Sequence, residues 1–373
     1  MVYNVPMITV TITENEQDQR LDRFLKKYFR NAPLSYLYKL IRTGVRVNGA
    51  RAAGDTRLQT GDRVAIDVPV DEAETYLKRE TERTALRQFR IAYEDAHTLV
   101  AEKPYGLLTH GTAEEKKNTL ANQVIGYLIE SGAYRAARGA TFSPSPVNRL
   151  DRNTTGLVVF GKDYEGLKAW NRMFRERDAL RKFYLAIVFG QLREPVTLSD
   201  RMVKDAGSNR VGIVPGDAAE GKTMETVVRP LATAEGYTLV EVELLTGRSH
   251  QIRAHLASIG HPVIGDAKYG DPAKNRRVRD RFGLTTQFLH AERLEVVRGI
   301  PPLDGLSGRV FTAPLPENME RIRAALFGGA PAADKKKGPA RPAADKKKGP
   351  ARPAADKKKG PARPPADKKR GQK

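Results

Sequence analysis

The chain's 373 residues, 40% of them hydrophobic and none a cysteine, allow a substantial core in two domains, or in one with an appendage, and exclude disulfides, thiolate nucleophiles and Cys-ligated zinc. No stretch approaches the ~18 apolar residues of a membrane span, and Met1 to Thr11 lacks the basic start, apolar run and cleavage site of a secretory signal, so a cytoplasmic protein is expected. The formal net charge of +21 is concentrated in residues 20–51, with nine basic residues against Asp22 alone, and in residues 330–373, with sixteen against four; two cationic ends on a nearly neutral body suit a nucleic acid partner.

After an N-terminal segment, residues 1–18, Leu21, Phe24, Leu25 and Tyr28 fall at helical spacing, while Arg23, Lys26, Lys27 and Arg30 repeat that spacing on another face. A second helix is predicted after Pro33, with Leu34, Leu37, Tyr38 and Ile41 as its apolar stripe. Asn48-Gly49 signals a hairpin, and Val64, Ile66 and Val68 alternate as in a half-buried strand. Residues 19–69 thus form a compact module of two basic helices and a small β element. It resembles the S4-type RNA-binding domain, and the resemblance makes Arg23, Lys26, Lys39 and Arg42 the candidate RNA contacts.

Residues 70–88 are polar, sustain no apolar period and read as a linker. From 89 to 327, strand-like runs occur at Thr98–Glu102, Gly156–Phe160, Phe183–Phe189, Tyr237–Leu244 and Phe288–Val297, and helical patterns at Leu120–Ile129 and His250–Ile259, with Ser249 as N-cap and Gly260 just past the end. Strands outnumber helices without regular alternation. The fold class expected is therefore α+β, with a mixed, largely antiparallel sheet flanked by helices and loops. Residues 328–373 repeat Ala-Asp-Lys-Lys-Lys-Gly-Pro-Ala-Arg-Pro at a period of eleven; Gly and Pro in each repeat, with nothing apolar larger than alanine, predict a disordered basic tail.

The most informative segment is Arg149-Leu150-Asp151-Arg152-Asn153-Thr154-Thr155-Gly156, followed by Leu157-Val158-Val159-Phe160. A lone carboxylate between two arginines, in a polar turn feeding a buried strand, stays ionised, as a nucleophilic aspartate must. This segment, the run Ala101 to His110, the run Lys182 to Val188 and the stretch Leu245 to Gly270 together resemble, in order, the motifs of the RluA/RluC/RluD-type RNA pseudouridine synthases; one departure is Asn148, where that family commonly has histidine. The resemblance implies isomerisation of uridine in RNA after base flipping, with no cofactor and no metal. It assigns Asp151 as nucleophile, Arg253 as its salt-bridge partner, Tyr184 as a stacking residue that assists proton removal, Ile252 as pocket wall and Arg149 as the residue that fills the vacated stack or holds the phosphate. With an S4-like module in front, large-subunit (23S) ribosomal RNA is the expected substrate and the protein is expected to act as a monomer; transfer RNA, or a non-catalytic role in ribosome assembly, are the alternatives.

Other chemistries fit less well. His250 and His255 are five residues apart and do not share a helix face, so metal binding is not expected, and His255 on the apolar stripe reads as a core residue. Ser249, His250 and Asp151 lack the strand-turn-helix elbow of a hydrolytic serine, and Lys103-Pro104 with Gly106 lacks the glycine spacing of a phosphate loop.

Overall fold

The computed structural model describes residues 8–77, 86–112, 114–135, 139–204 and 211–328. The expected disordered tail beyond residue 328 lies outside the described residues, as do residues 1–7 of the N-terminal segment and residues 78–85 of the expected linker.

The N-terminal module comprises β1 (Ile8–Thr11), α1 (Leu21–Tyr28), α2 (Leu34–Thr43), β2 (Val45–Val47), β3 (Ala50–Arg51), β4 (Arg63–Ile66) and α3 (Val70–Tyr76). Its four-stranded sheet has the order β1-β4-β2-β3, all antiparallel. Asn48 and Gly49, both at positive φ, make the predicted hairpin between β2 and β3. Leu21, Phe24 and Leu25 of α1 pack on Val64, Ile66 and Val68. Two expectations change. The buried stripe of α2 is Leu37 and Leu40, whereas Leu34 and Tyr38 are exposed; the helix is turned so that its basic and aromatic face meets solvent. The polar stretch from residue 70, read as a linker, opens with α3, because Ala73 and Leu77 reach back into the N-terminal core. β1 likewise draws residues 8–11 into that module.

The larger part runs through β5 (Arg90–Glu94), β6 (Thr98–Lys103), α4 (Leu120–Glu130), β7 (Ser145–Pro146), β8 (Thr155–Gly161), α5 (Tyr164–Arg175), β9 (Leu180–Phe189), β10 (Val196–Lys204), β11 (Val211–Pro215), β12 (Lys222–Ala234), β13 (Tyr237–Leu244), α6 (Gln251–Ser258), α7 (Pro272–Phe282), β14 (Leu289–Val296), β15 (Val310–Thr312) and α8 (Glu317–Phe327). The strands form one sheet in the order β11-β10-β12-β13-β9-β14-β8-β6-β5, with β15 on β14 and β7 on β8. Pairing is antiparallel except between β14 and β8. The expected mixed, largely antiparallel sheet is what is observed.

Every residue of β8 is buried, as a strand covered on both faces must be. Val158 and Phe160 pack with Leu120, Val124 and Leu128 of α4; Leu157 and Val159 pack with Trp170 and Met173 of α5. The two sets alternate along β8, so the two helices lie on opposite faces. Helices α6, α7 and α8 cover β9 and β13. This leaves the turn entering β8 at the meeting point of β8, β14 and β9, beside the start of α6. Gly156 is required there: φ is +107°, and a Cβ would lie 2.2 Å from the Ala291 carbonyl oxygen of β14.

Candidate active site

The turn carrying Asp151 is held by the end of β6 and the segment that follows it. The Thr109 hydroxyl donates to the Leu150 carbonyl at 3.0 Å and accepts from the Leu150 N–H at 3.2 Å. The buried Lys103 ammonium donates to the carbonyls of Pro104 (3.0 Å), Leu107 (2.7 Å) and Arg152 (2.8 Å). Burial pulls Lys103 down to about 7, against the opposing pull of Asp151. The Thr154 N–H closes the turn on the Asp151 carbonyl at 3.0 Å. Asn148, where the family commonly has histidine, is bonded through its amide to the Leu157 carbonyl (3.1 Å) and the Val159 N–H (2.9 Å) and so anchors the turn to β8.

Helix α6 delivers Arg253. Ser249 does not cap it. The N-cap is His250, at a left-handed φ of 57° with no capping side chain, and the buried Gln251 holds the helix start instead: its carbonyl accepts from the Arg248 N–H (3.0 Å) and Thr246 hydroxyl (2.9 Å), and its amide donates to the Glu225 carbonyl and the Thr226 hydroxyl, each at 2.9 Å. Gly260 does follow the helix in the left-handed region. Arg253, expected as the salt-bridge partner of Asp151, is 7% exposed. Its Nη1 donates to Asp151 Oδ2 at 2.8 Å, while Nε and Nη2 donate to the two oxygens of Asp266 at 2.6 and 2.9 Å. Burial lowers the guanidinium's pKa, but Asp266 and then Asp151 more than reverse this, leaving it above the ordinary arginine range. Asp266 is fully buried. Burial raises its carboxyl, and Arg253 with the N–H groups of Lys268 and Tyr269 outweighs that and holds it below the usual range.

Asp151, Arg253 and Tyr184 therefore share one cleft of about 1480 Å³, floored by β9 and β14 and lined also by Arg149, Arg175, Arg177, Lys182, Arg248 and Arg293. Tyr184 is half-buried on β9; burial, and secondarily the charge of Asp151, push its phenol up, so it is neutral at physiological pH. Arg149 is exposed at the cleft. Ile252, expected as pocket wall, instead faces the core between α6 and the sheet; as the residue next to Arg253 on α6, it points to another side of the helix.

Several residues at this site carried no assignment in the sequence. His250 places Nε2 3.9 Å from Asp151 Oδ1 and bonds through Nδ1 to the Tyr269 hydroxyl at 2.9 Å; burial pulls its pKa below the usual histidine range despite Asp151. Tyr269 also sets its ring 5.2 Å from the Arg253 guanidinium. Asp266, Lys103 and Thr109 all lie within recognisable motifs, but single positions in a motif do not reveal partners distant in sequence. His255 is buried as expected, bonded to Thr226 at 2.8 Å. Among the described residues no cluster of His, Asp and Glu is arranged to hold a metal ion, and no helix is long and apolar enough to cross a membrane. Arg23, Lys26, Lys39 and Arg42 are all exposed on α1 and α2. The two parts of the molecule touch where the Glu16 carboxylate accepts the Thr141 hydroxyl.

Comparison with known proteins identifies the family. Residues 97–258 match the family described as RNA pseudouridylate synthase. The chain is 31% identical over 322 residues to ribosomal large subunit pseudouridine synthase C of Vibrio parahaemolyticus, covering 85% of this chain and 96% of that protein. It is 34% identical over 318 residues to the protein of the same name from Escherichia coli, covering 84% and 94% respectively. A solved human structure, RNA Pseudouridylate Synthase Domain Containing 4, is similar over 62% of this chain and 92% of its own at 22% identity, with a TM-score of 0.49.

Proposed function

Since the chain belongs to the RNA pseudouridylate synthase family and is an RNA pseudouridine synthase, we propose that its substrate is large-subunit ribosomal RNA and that Asp151 is the nucleophile. The single observation that carries the site assignment is the 2.8 Å pair between Arg253 and Asp151 in the wall of a cation-lined cleft. The relatives' names, with their specification of the large ribosomal subunit, support the substrate.

The reaction breaks the C1′–N1 glycosidic bond, turns the detached uracil and rejoins it through C5; C5 loses a proton and the freed N1 gains one, so there is no net change of atoms. A carboxylate suits it, since it can form a covalent intermediate and leave again. The target base has to leave its stack, at a cost of a few kcal/mol. Arg149, exposed at the cleft without an ion pair among the described residues, occupies the vacated space or holds the adjacent phosphate. Tyr184 stacks on the flipped uracil; its raised pKa supports a neutral stacking and donor role over that of a general base. Lys103 and Thr109 hold the Asp151 turn still while this happens, and Ile252 supports Arg253 by packing α6.

The N-terminal module acts as an S4-type RNA-binding domain, gripping folded RNA through Arg23, Lys26, Lys39 and Arg42 in a cytoplasmic, monomeric enzyme. The exposed, cationic faces of α1 and α2 support this reading. Carbodiimide-dependent primer extension on RNA from cells with and without the protein tests the substrate: loss of pseudouridine from large-subunit RNA is expected, and loss confined to transfer RNA overturns it.

A further inference from the structure

The mechanism so far leaves one fully buried carboxylate unused. Asp266 takes two of the donors on the Arg253 guanidinium, Nε at 2.6 Å and Nη2 at 2.9 Å, in the bidentate fork geometry that fixes both the position and the plane of the group. Nη1 is what this fork directs at Asp151. Asp266 is itself held, because Oδ1 also accepts the N–H groups of Lys268 (2.9 Å) and Tyr269 (3.1 Å) in the turn after Gly265. That turn packs closely on its neighbour: Gly265 has φ +74°, and a Cβ there would lie 2.1 Å from the Thr286 carbonyl oxygen. The same turn delivers Tyr269, whose hydroxyl bonds His250 on the other side of Asp151.

We propose that Asp266 is a positioning residue for the isomerisation, acting through Arg253 so that a single guanidinium N–H is presented to Asp151. The assignment rests on the reading of Asp151 as nucleophile. It has two consequences. Arg253 is aimed without help from Asp151, so the nucleophile can move toward the uracil nucleotide without the guanidinium collapsing after it. The guanidinium charge is also shared between two carboxylates, so Asp151 is not neutralised by a full positive charge of its own; the three groups together remain anionic.

The test uses the full chain and protein-free ribosomal RNA carrying tritium at uridine C5, prepared from cells lacking the protein, so that each turnover releases tritium. Asp266→Asn keeps the shape but puts an amide N–H against a guanidinium donor. Asp266→Ser keeps an oxygen for the turn's N–H groups yet has none for the fork, and serves if the first variant does not fold. Either is expected to slow single turnover about 100-fold at saturating enzyme, as a misplaced catalytic group does, with RNA affinity unchanged. Added to Arg253→Gln, the same substitution costs nothing further in rate, because the two act as one unit. A merely structural role predicts an equal added loss in both backgrounds, and that result, or wild-type turnover in a folded Asp266 variant, overturns the proposal. Loss of turnover in Asp151→Asn alongside a normal Asp266→Asn rejects the positioning role and spares the nucleophile; turnover retained in Asp151→Asn rejects both.

Discussion

The two cationic regions of the described structure use charge in opposite ways. On α1 and α2, Arg23, Lys26, Lys39 and Arg42 stand exposed and no ion pair ties them among the described residues. In the larger part, several cations are instead locked into place. Arg253 is shared by Asp151 and Asp266, Arg181 and Arg229 converge on Glu243, and Arg293 lies 3.8 Å from the Phe183 ring centre while bonding Glu241. Unpaired surface charge acts over the Debye length and supplies affinity that salt erodes. Paired, buried charge contributes little net stability but fixes geometry, and removing one partner is costly.

The strongest way to break this contrast is at Asp151. Asp151→Asn is expected to abolish isomerisation, by on the order of 10⁴-fold or more as for other catalytic nucleophiles, while RNA affinity stays near wild type. Tritium release and filter binding on the same preparation check both halves. Arg253→Ala is next: it leaves Asp266 charged and buried, so a destabilisation of about 3–5 kcal/mol is expected in denaturant titration. Arg253→Lys keeps the charge but loses the fork, and most of the activity with it. A surface cation treated the same way, such as Arg23→Ala, leaves stability within about 0.5 kcal/mol.

Lys103 sharpens the comparison with pH. Folded, it releases its proton near 7, whereas in the unfolded chain it holds the proton up to the ordinary lysine range near 10.5. Between those limits the unfolded state binds more protons, so this residue makes folding stability rise with pH. Lys103→Met is expected to flatten that rise when thermal melts of variant and wild type are compared from pH 7 to 9. It also strands the carbonyls of Leu107 and Arg152, at about 1–3 kcal/mol each when buried, and loosens the turn that carries Asp151. If turnover and the pH dependence are both unaffected, the clamp is not what holds that turn.

How much of this was legible beforehand depends on the range of each interaction. Tyr237–Leu244 reads as a strand from its own alternation, and Leu120–Ile129 as a helix from its own period, because those signals are local; the structure places β13 and α4 there with bounds within a residue. The amphipathic α5 and β12 were not singled out; β12 interrupts its buried alternation of Met224, Thr226 and Val228 with Glu225, Arg229 and Pro230, and only cross-strand ion pairs of Arg229 with Glu241 and Glu243 show how its arginine is accommodated in mid-sheet. Within the site, Asp151 and Arg253 were visible through their motifs. Asp266, His250 and the Lys103 clamp were not, because Asp266 finds Arg253, Lys103 finds Arg152 and His250 approaches Asp151 across separations of 13, 49 and 99 positions, and only the folded chain brings them together. The orientation of α2 failed for the opposite reason: Leu34 and Tyr38 obey the helical period but stand on the outward face, and only packing against α1 and the sheet decides that Leu37 and Leu40 are the buried stripe.

The smallest effect expected is also the one that separates the two regions most cleanly. If the helices α1 and α2 grip RNA phosphates, each of Arg23→Ala, Lys26→Ala, Lys39→Ala and Arg42→Ala that removes a contact reduces the slope of log affinity against log salt by about 0.7–0.9, single-turnover rate at saturating enzyme being unchanged. The locked cations behave differently. Substituting Arg293, whose guanidinium is already bonded to Glu241, disturbs the sheet face under Tyr184 and lowers the rate without altering the salt slope, because no counterion is released where a carboxylate already neutralises the charge. The repeats beyond residue 330 add sixteen basic residues to the question, and deleting them flattens the slope further if they too lie along the RNA. A slope that survives all four helix substitutions and falls only on removal of the repeats assigns the electrostatic grip to that segment and leaves α1 and α2 with shape recognition alone.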